Sequence, residues 1–246
     1  MDDRLANALG RIVEIKDRST GAHTWRVAMY AQLLAESADL AVPDVKRFML
    51  GAVLHDIGKL DIPETILGKP DRLTDEEYEI VKSHTTIGWH RLRRMGVDDP
   101  MILNVVRHHH ERMDGTGYPD RLAGSDIPLE ARWFSVIDAF DAMTSLRPYR
   151  DEVGTAAARR ALEELQTKVR IWYPVEAVEA LHQLFEDHRL DSILEHLNDP
   201  EAAASPVAPM GPELLDLVRT AIHRSNDEHS DVEEIERVLE QAEAIG

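Results

Sequence analysis

The chain contains no cysteine, which removes disulfide frameworks, thiolate metal sites and cysteine nucleophiles together. Any metal it holds must be bound through nitrogen and oxygen. Aromatic residues make up only 5% of its 246 positions, and the period-two alternation that marks half-buried strands is missing. No apolar run approaches the 18 or so residues that a membrane-crossing helix needs. The start, Met1-Asp2-Asp3-Arg4, lacks the basic and apolar regions of a secretory signal. These absences predict a cytoplasmic protein with no membrane attachment. Basic side chains are also scarce: 28 Lys and Arg stand against 46 Asp and Glu, a formal charge of −18. That balance argues against grip on a nucleic-acid backbone.

What is present is helical periodicity. Apolar residues recur at spacings of three and four almost throughout, which predicts an all-α chain with helices over 3–16, 22–38, 43–57, 75–95, 99–110, 130–146, 154–168 and 174–197. Thr74-Asp75-Glu76-Glu77 has the spacing of a capping box, and Pro43, Pro100 and Pro174 sit where a first helical turn tolerates proline. Residues 198–212 are rich in proline and alanine, without periodicity, and read as a linker. Two short helices are expected beyond it, over 213–225 and 231–244, with stripes at Leu214, Leu215, Leu217, Val218 and Ile222 and at Val232, Ile235, Val238 and Leu239. The division is a main domain over 1–197, a linker over 198–212 and an acidic helical extension over 213–246. From residue 174 onward, 18 acidic side chains face 4 basic ones. The stripes of the extension are expected to pack on the main domain or to make a homodimer.

Twelve histidines invite a census by helical face, because a ligand must project from the stripe that lines the core. His23 is followed by Val27, Tyr30 and Leu34; His55 follows Val45, Phe48 and Ala52; His84 is flanked by Ile80, Val81 and Ile87; His109 and His110 continue the stripe of Ile102, Val105 and Val106, which His108 leaves. One such histidine is usually a hydrogen-bonded core residue. Five of them, with Asp56 beside His55 and Asp138 inside an apolar run, point to a metal centre, since buried carboxylates are costly unless paired or metal-bound. Asp141, one helical turn after Asp138, is placed to support a ligand from behind. Imidazole plus carboxylate without sulfur suits Fe, Mn, Ni or Zn better than Mg or Ca.

His55-Asp56 with Gly58-Lys59, then His109-His110-Glu111 and Asp114-Gly115-Thr116-Gly117-Tyr118-Pro119, resemble the HD-GYP subgroup of the HD-domain phosphohydrolases. The likeness runs from about Leu5 to about Leu190. An HD pair alone is weak evidence, whereas HHE followed by DGTGYP at this spacing is specific. The resemblance implies an HD-domain helical bundle over 1–197 that hydrolyses cyclic di-GMP, with pGpG or GMP as the end product, through a hydroxide between two metals, most often iron or manganese. It implies that His23, His55, Asp56 and Asp138 hold one metal, and that Asp56 bridges to a second held by His84, His109 and His110. Asp56, Lys59 and Asp141 then stand as catalytic candidates. Lys59, Gly117, Tyr118, Pro119, Arg147 and Arg150 stand as substrate contacts, with the GYP loop also implicated in docking a diguanylate-cyclase (GGDEF) partner. The other readings are a non-catalytic cyclic di-GMP receptor, and a phosphohydrolase for another nucleotide.

This chain departs from the family pattern in places. Some members carry a glutamate, for a third metal, where Ser19 stands, so two metals are expected. Arg150 replaces a common lysine, Leu146 a common aspartate, and Trp172-Tyr173-Pro174 a frequent Phe-Asp-Pro. None of these positions is among the implied ligands.

Overall fold

The computed structural model describes residues 3–17, 23–145, 154–196, Ile222 and 232–244. The proposed linker, most of the 213–225 helix, Ser19, Arg147 and Arg150 lie outside the described residues. The chain runs α1 (Asp3–Lys16), α2 (His23–Ser37), α3 (Val42–Leu54), a 3-10 turn (Ile57–Asp61), α4 (Glu64–Leu67), α5 (Asp75–Lys82), α6 (His84–Arg94), α7 (Pro100–His108), α8 (Leu129–Thr144), α9 (Gly154–Thr167), α10 (Val175–Glu186), α11 (Asp191–His196) and α12 (Val232–Ala244). The fold is all-α, and no strand occurs among the described residues.

Helix starts follow local chemistry. Thr74 accepts from the Glu77 amide at 3.2 Å while the Glu77 carboxylate accepts from the Thr74 amide at 2.7 Å, which completes the capping box. Asp99 accepts from the amides of Met101 and Ile102 ahead of Pro100.

The breaks differ from expectation. The helix expected over 43–57 stops at Leu54 and tightens into the 3-10 turn. The one expected over 75–95 is interrupted at Ser83. There the hydroxyls of Ser83, Thr85 and Thr86 donate to the carbonyls of Ile80, Lys82 and Ser83, so three side chains within four residues bond back onto the backbone. The helix expected over 174–197 breaks between α10 and α11, where His188 adopts φ 58°.

Two apolar clusters hold the elements. One gathers α2, α3, α8, α9, α10 and α11 around Tyr30, Phe48, Phe134 and Phe140. The other gathers α1, the 3-10 turn, α6, α7 and α12 around Leu9, Ile12, Leu60 and Leu92. Both draw on α3 and α7: Phe48 and Val105 face the first, Leu54 and Val106 the second. α12 buries Ile235, Val238 and Leu239 against α1, as its stripe predicts. No described helix is long and apolar enough to cross a membrane.

Glycine decides how closely the 3-10 turn meets α6. A Cβ at Gly58 would lie 1.9 Å from the His84 carbonyl oxygen and 2.6 Å from the Gly88 nitrogen. The two backbones therefore touch, and His55 and Asp56 are brought up to His84.

Candidate metal centre

The seven expected ligands converge. His23 opens α2, His55 and Asp56 follow the end of α3, His84 opens α6, His109 and His110 follow the end of α7, and Asp138 lies within α8. Ligand atoms of His23, His55 and Asp138 lie within 4.8 Å of one another, as do those of His84, His109 and His110, and those of His55, Asp56 and His109. Asp56 joins the groups: its Oδ2 is 3.2 Å from His55 Nε2 and its Oδ1 is 3.3 Å from His84 Nε2.

The nitrogens are set up as bare donors of electron pairs. His55 Nδ1 donates to the Ala52 carbonyl at 2.7 Å, His84 Nδ1 to Val81 at 2.7 Å and His109 Nδ1 to Val105 at 2.9 Å. A carbonyl cannot donate, so each ring proton resides on Nδ1 and Nε2 presents its lone pair to the centre. Nε2 of His84 and of His109 nevertheless sit 3.3 Å apart, as do those of His23 and His55. Two lone pairs at that separation repel unless a cation lies between them. Burial, with the neighbouring imidazoles, holds His109 and His110 well below the ordinary histidine range, and burial lowers His84. Neutral imidazoles at His84, His109 and His110, together with buried Asp56 and half-buried Asp138, fit the binding of a metal cation.

Asp56 is ionised. Burial acts to raise its pKa, but His55, Lys59 and His84 outweigh it and hold the carboxyl well below its usual range. Burial would likewise lower His55, yet Asp56 and Asp138 carry it upward.

Lys59 Nζ lies 2.8 Å from Asp56 Oδ2 and 2.8 Å from Asp17 Oδ2. Asp17 has no place in the sequence reading, because a carboxylate at the end of an amphipathic helix resembles any surface acid. It is only 5% exposed.

Asp141 lies behind His23, where the sequence places a residue that supports a ligand. Its carboxylate accepts from His23 Nδ1 at 2.7 Å, from Arg26 Nε and Nη2 at 2.6 and 2.9 Å, and from the Ser145 hydroxyl at 2.9 Å. Both oxygens are spent behind His23. Burial acts upward on Asp141, but His23 and Arg26 hold it well below the carboxylate range. Arg26, 3% exposed, is a second residue that sequence reasoning missed. Asp141→Asn keeps the shape but lets an amide donate to Nδ1, which moves the His23 proton onto Nε2. We expect metal affinity in the His23 half to fall about 10- to 100-fold, measured by chelator competition, with the His84 half retained.

The GYP loop reaches the same centre. A Cβ at Gly117 would lie 2.5 Å from the Arg112 nitrogen and from the His110 carbonyl oxygen, so only glycine lets the loop fold back this closely. Tyr118 then lays its ring 4.7 Å from the His110 ring, and Pro119 follows through a cis peptide. Glu111, buried, braces the loop by accepting from the amides of Asp120 and Leu122 at 2.7 and 3.0 Å. Asp120 is taken up by Arg107 through two bonds of 2.8 Å. The nearby grouping of His108, Glu111 and Asp120 is therefore a loop brace. His182 and His188 are exposed and pair with Glu186 and Asp191.

A family model described as HD domain matches residues 7–174. Among curated proteins, a cyclic di-GMP phosphodiesterase of Thermotoga maritima is 40% identical over 179 residues, covering 72% of this chain and 47% of that protein. A 3'3'-cGAMP-specific phosphodiesterase of Vibrio cholerae is 40% identical over 151 residues, covering 60% of this chain and 28% of that protein. The chain thus spans half or less of the length of these relatives. A crystal structure of a cyclic GMP-AMP specific phosphodiesterase from V. cholerae superposes with a TM-score of 0.66 at 16% identity, over 99% of this chain and 70% of that one. At that identity it speaks for the fold alone.

Proposed function

The chain belongs to the HD-domain family, in its HD-GYP subgroup, and from that premise we propose that it is a metal-dependent phosphodiesterase that opens cyclic di-GMP to pGpG. The observation that carries this reading is the pairing of two nitrogen-rich clusters through one carboxylate, Asp56, with Lys59 beside it. His23, His55, Asp56 and Asp138 would hold one metal and Asp56, His84, His109 and His110 a second, with iron or manganese the best match to the donor set. When bound, such a pair of ions activates water at neutral pH and stabilises charge on the phosphoryl oxygens.

The chain's own groups do the rest. Lys59, held between Asp17 and Asp56, offers an ammonium to a non-bridging phosphate oxygen. Asp141 and Arg26 fix the tautomer and orientation of His23. Tyr118 walls the side of the centre at His110, and Arg147 and Arg150 are proposed for the remaining phosphate or a guanine. Residues 1–197 form the catalytic unit in this reading, and 213–246 an appended acidic segment.

The test is to load the protein anaerobically with iron or manganese, incubate it with cyclic di-GMP and separate the products by chromatography. Formation of pGpG is expected. Binding without turnover under both metals would favour a receptor and overturn the enzymatic reading. The equal identity to a cyclic di-GMP enzyme and to a 3'3'-cGAMP enzyme favours a second reading, in which the hybrid dinucleotide is also cleaved. A substrate panel separates the two. Elemental analysis is expected to give two tightly held metals per chain, and three would show that a further group completes another site.

A further inference from the structure

A cleft of about 650 Å³ opens beside the metal centre, between the α5–α6 junction and the GYP loop, and its walls include Tyr78, Lys82, Arg112, Tyr118 and Arg121. Tyr118 is the shared wall, since its ring packs on His110. Whatever enters the cleft therefore lies against Tyr118, one ring away from the centre.

The cations in the cleft differ in how far they are committed. Lys82 is paired with Glu79 and lies over the rings of Tyr78 and Tyr118, at 5.2 and 5.6 Å. The Arg112 carbonyl accepts from the Gly115 amide at 2.8 Å, while the Arg112 guanidinium forms no hydrogen bond or ion pair among the described residues. The guanidinium instead stacks on the Trp172 indole, 4.0 Å from the ring centroid. The backbone carrying that indole is tied to the loop: the Met113 amide donates to the Trp172 carbonyl at 3.2 Å, and the Asp114 amide to the Ile171 carbonyl at 2.8 Å. Arg112 thus presents a planar fork of unspent N–H donors, oriented by stacking, in a cleft with two tyrosines. A planar fork with nothing to bond is matched by a planar edge that carries two acceptors. Among purines that edge belongs to guanine, through O6 and N7. Adenine offers N7 beside an amino group, which would face the fork donor to donor.

Resting on the phosphodiesterase reading above, we propose that this cleft receives one guanine of the cyclic dinucleotide and that Arg112 reads its O6/N7 edge. Arg112 is then a specificity-determining residue, and the preference it supplies is for guanine over adenine at one of the two bases. Cyclic di-GMP and the guanine–adenine hybrid can each fill the cleft with guanine, whereas cyclic di-AMP cannot.

Titration calorimetry with hydrolysis-resistant phosphorothioate analogues of cyclic di-GMP and cyclic di-AMP tests this on the metal-loaded protein. The wild-type chain is expected to bind the guanine analogue at least about tenfold more tightly. Arg112→Lys keeps the charge and loses the fork, and is expected to shrink that preference about tenfold while metal content and helicity stay unchanged. Equal weakening of both analogues would mean that Arg112 meets a phosphate, and an unchanged ratio would mean that it meets no base. Either result overturns the proposal. Turnover of natural cyclic di-GMP, followed in parallel, reports separately on the enzymatic reading. Guanine preference lost in Arg112→Lys without any turnover would leave this assignment standing and overturn only the hydrolysis.

Discussion

Asp56→Ala is expected to empty both halves of the metal centre and to lower turnover by about three orders of magnitude or more. Its two oxygens face different histidines, His55 and His84, so a single truncation withdraws the carboxylate that joins both groups. What remains are imidazoles facing one another and Asp138 on the His23 side, with the Lys59 ammonium left to Asp17. A binuclear centre supplies several kcal/mol of transition-state stabilisation, which sets the size of the effect. Elemental analysis and product chromatography on the same preparation check it. His84→Ala and His110→Ala should differ in kind, because each removes a ligand from one half and spares the His23 group. Near-wild-type metal content in Asp56→Ala would show that the carboxylate is not shared.

Gly58→Ala is expected to be the most damaging glycine-to-alanine change among the described residues. The added carbon would sit 1.9 Å from a backbone oxygen of α6, and backbone, unlike a side-chain tip, cannot swing aside. The 3-10 turn must lift away from α6 at a cost of about 3 kcal/mol or more, lowering the melting temperature by about 10 °C for a chain of this size. The displacement also separates His55 and Asp56 from His84, so metal retention should fall with stability. A variant that melts within 2 °C or so of wild type and keeps its full metal content would show that the contact yields easily.

How far the sequence revealed this arrangement differs from residue to residue. His23, His55 and His109 were legible because a helical period places them on apolar stripes, and those stripes are buried. His84 was found for the wrong reason. Its supposed stripe includes Ile80, which is 42% exposed, and α5 contributes no buried residue. The bend at Ser83 turns the next helix inward, and a bend made by hydroxyls bonding back to carbonyls leaves no trace in hydrophobic periodicity. Asp17 and Arg26 stayed hidden because a charged residue on an amphipathic helix reads as solvent-facing until its partner, distant in sequence, is known. Lys59 lies 42 positions from Asp17 and Asp141 lies 115 from Arg26. Arg112 was passed over within a recognised motif, since its platform, Trp172, comes from a different part of the chain.

The division of the interior into two apolar clusters has a thermodynamic consequence. His23 and Asp138 stand on helices of the first, α2 and α8, and His84 on a helix of the second, α6. His55, Asp56 and His109 sit at the ends of α3 and α7, which contribute to both. An ion held jointly by these side chains fastens one cluster to the other, so ligation energy becomes coupling energy between two packing units. The loaded chain is expected to unfold in a single step, with calorimetric and van't Hoff enthalpies in agreement. After chelation the van't Hoff value should drop below the calorimetric one, because the clusters are then coupled only through the packing of the helices they share, α2, α3 and α7.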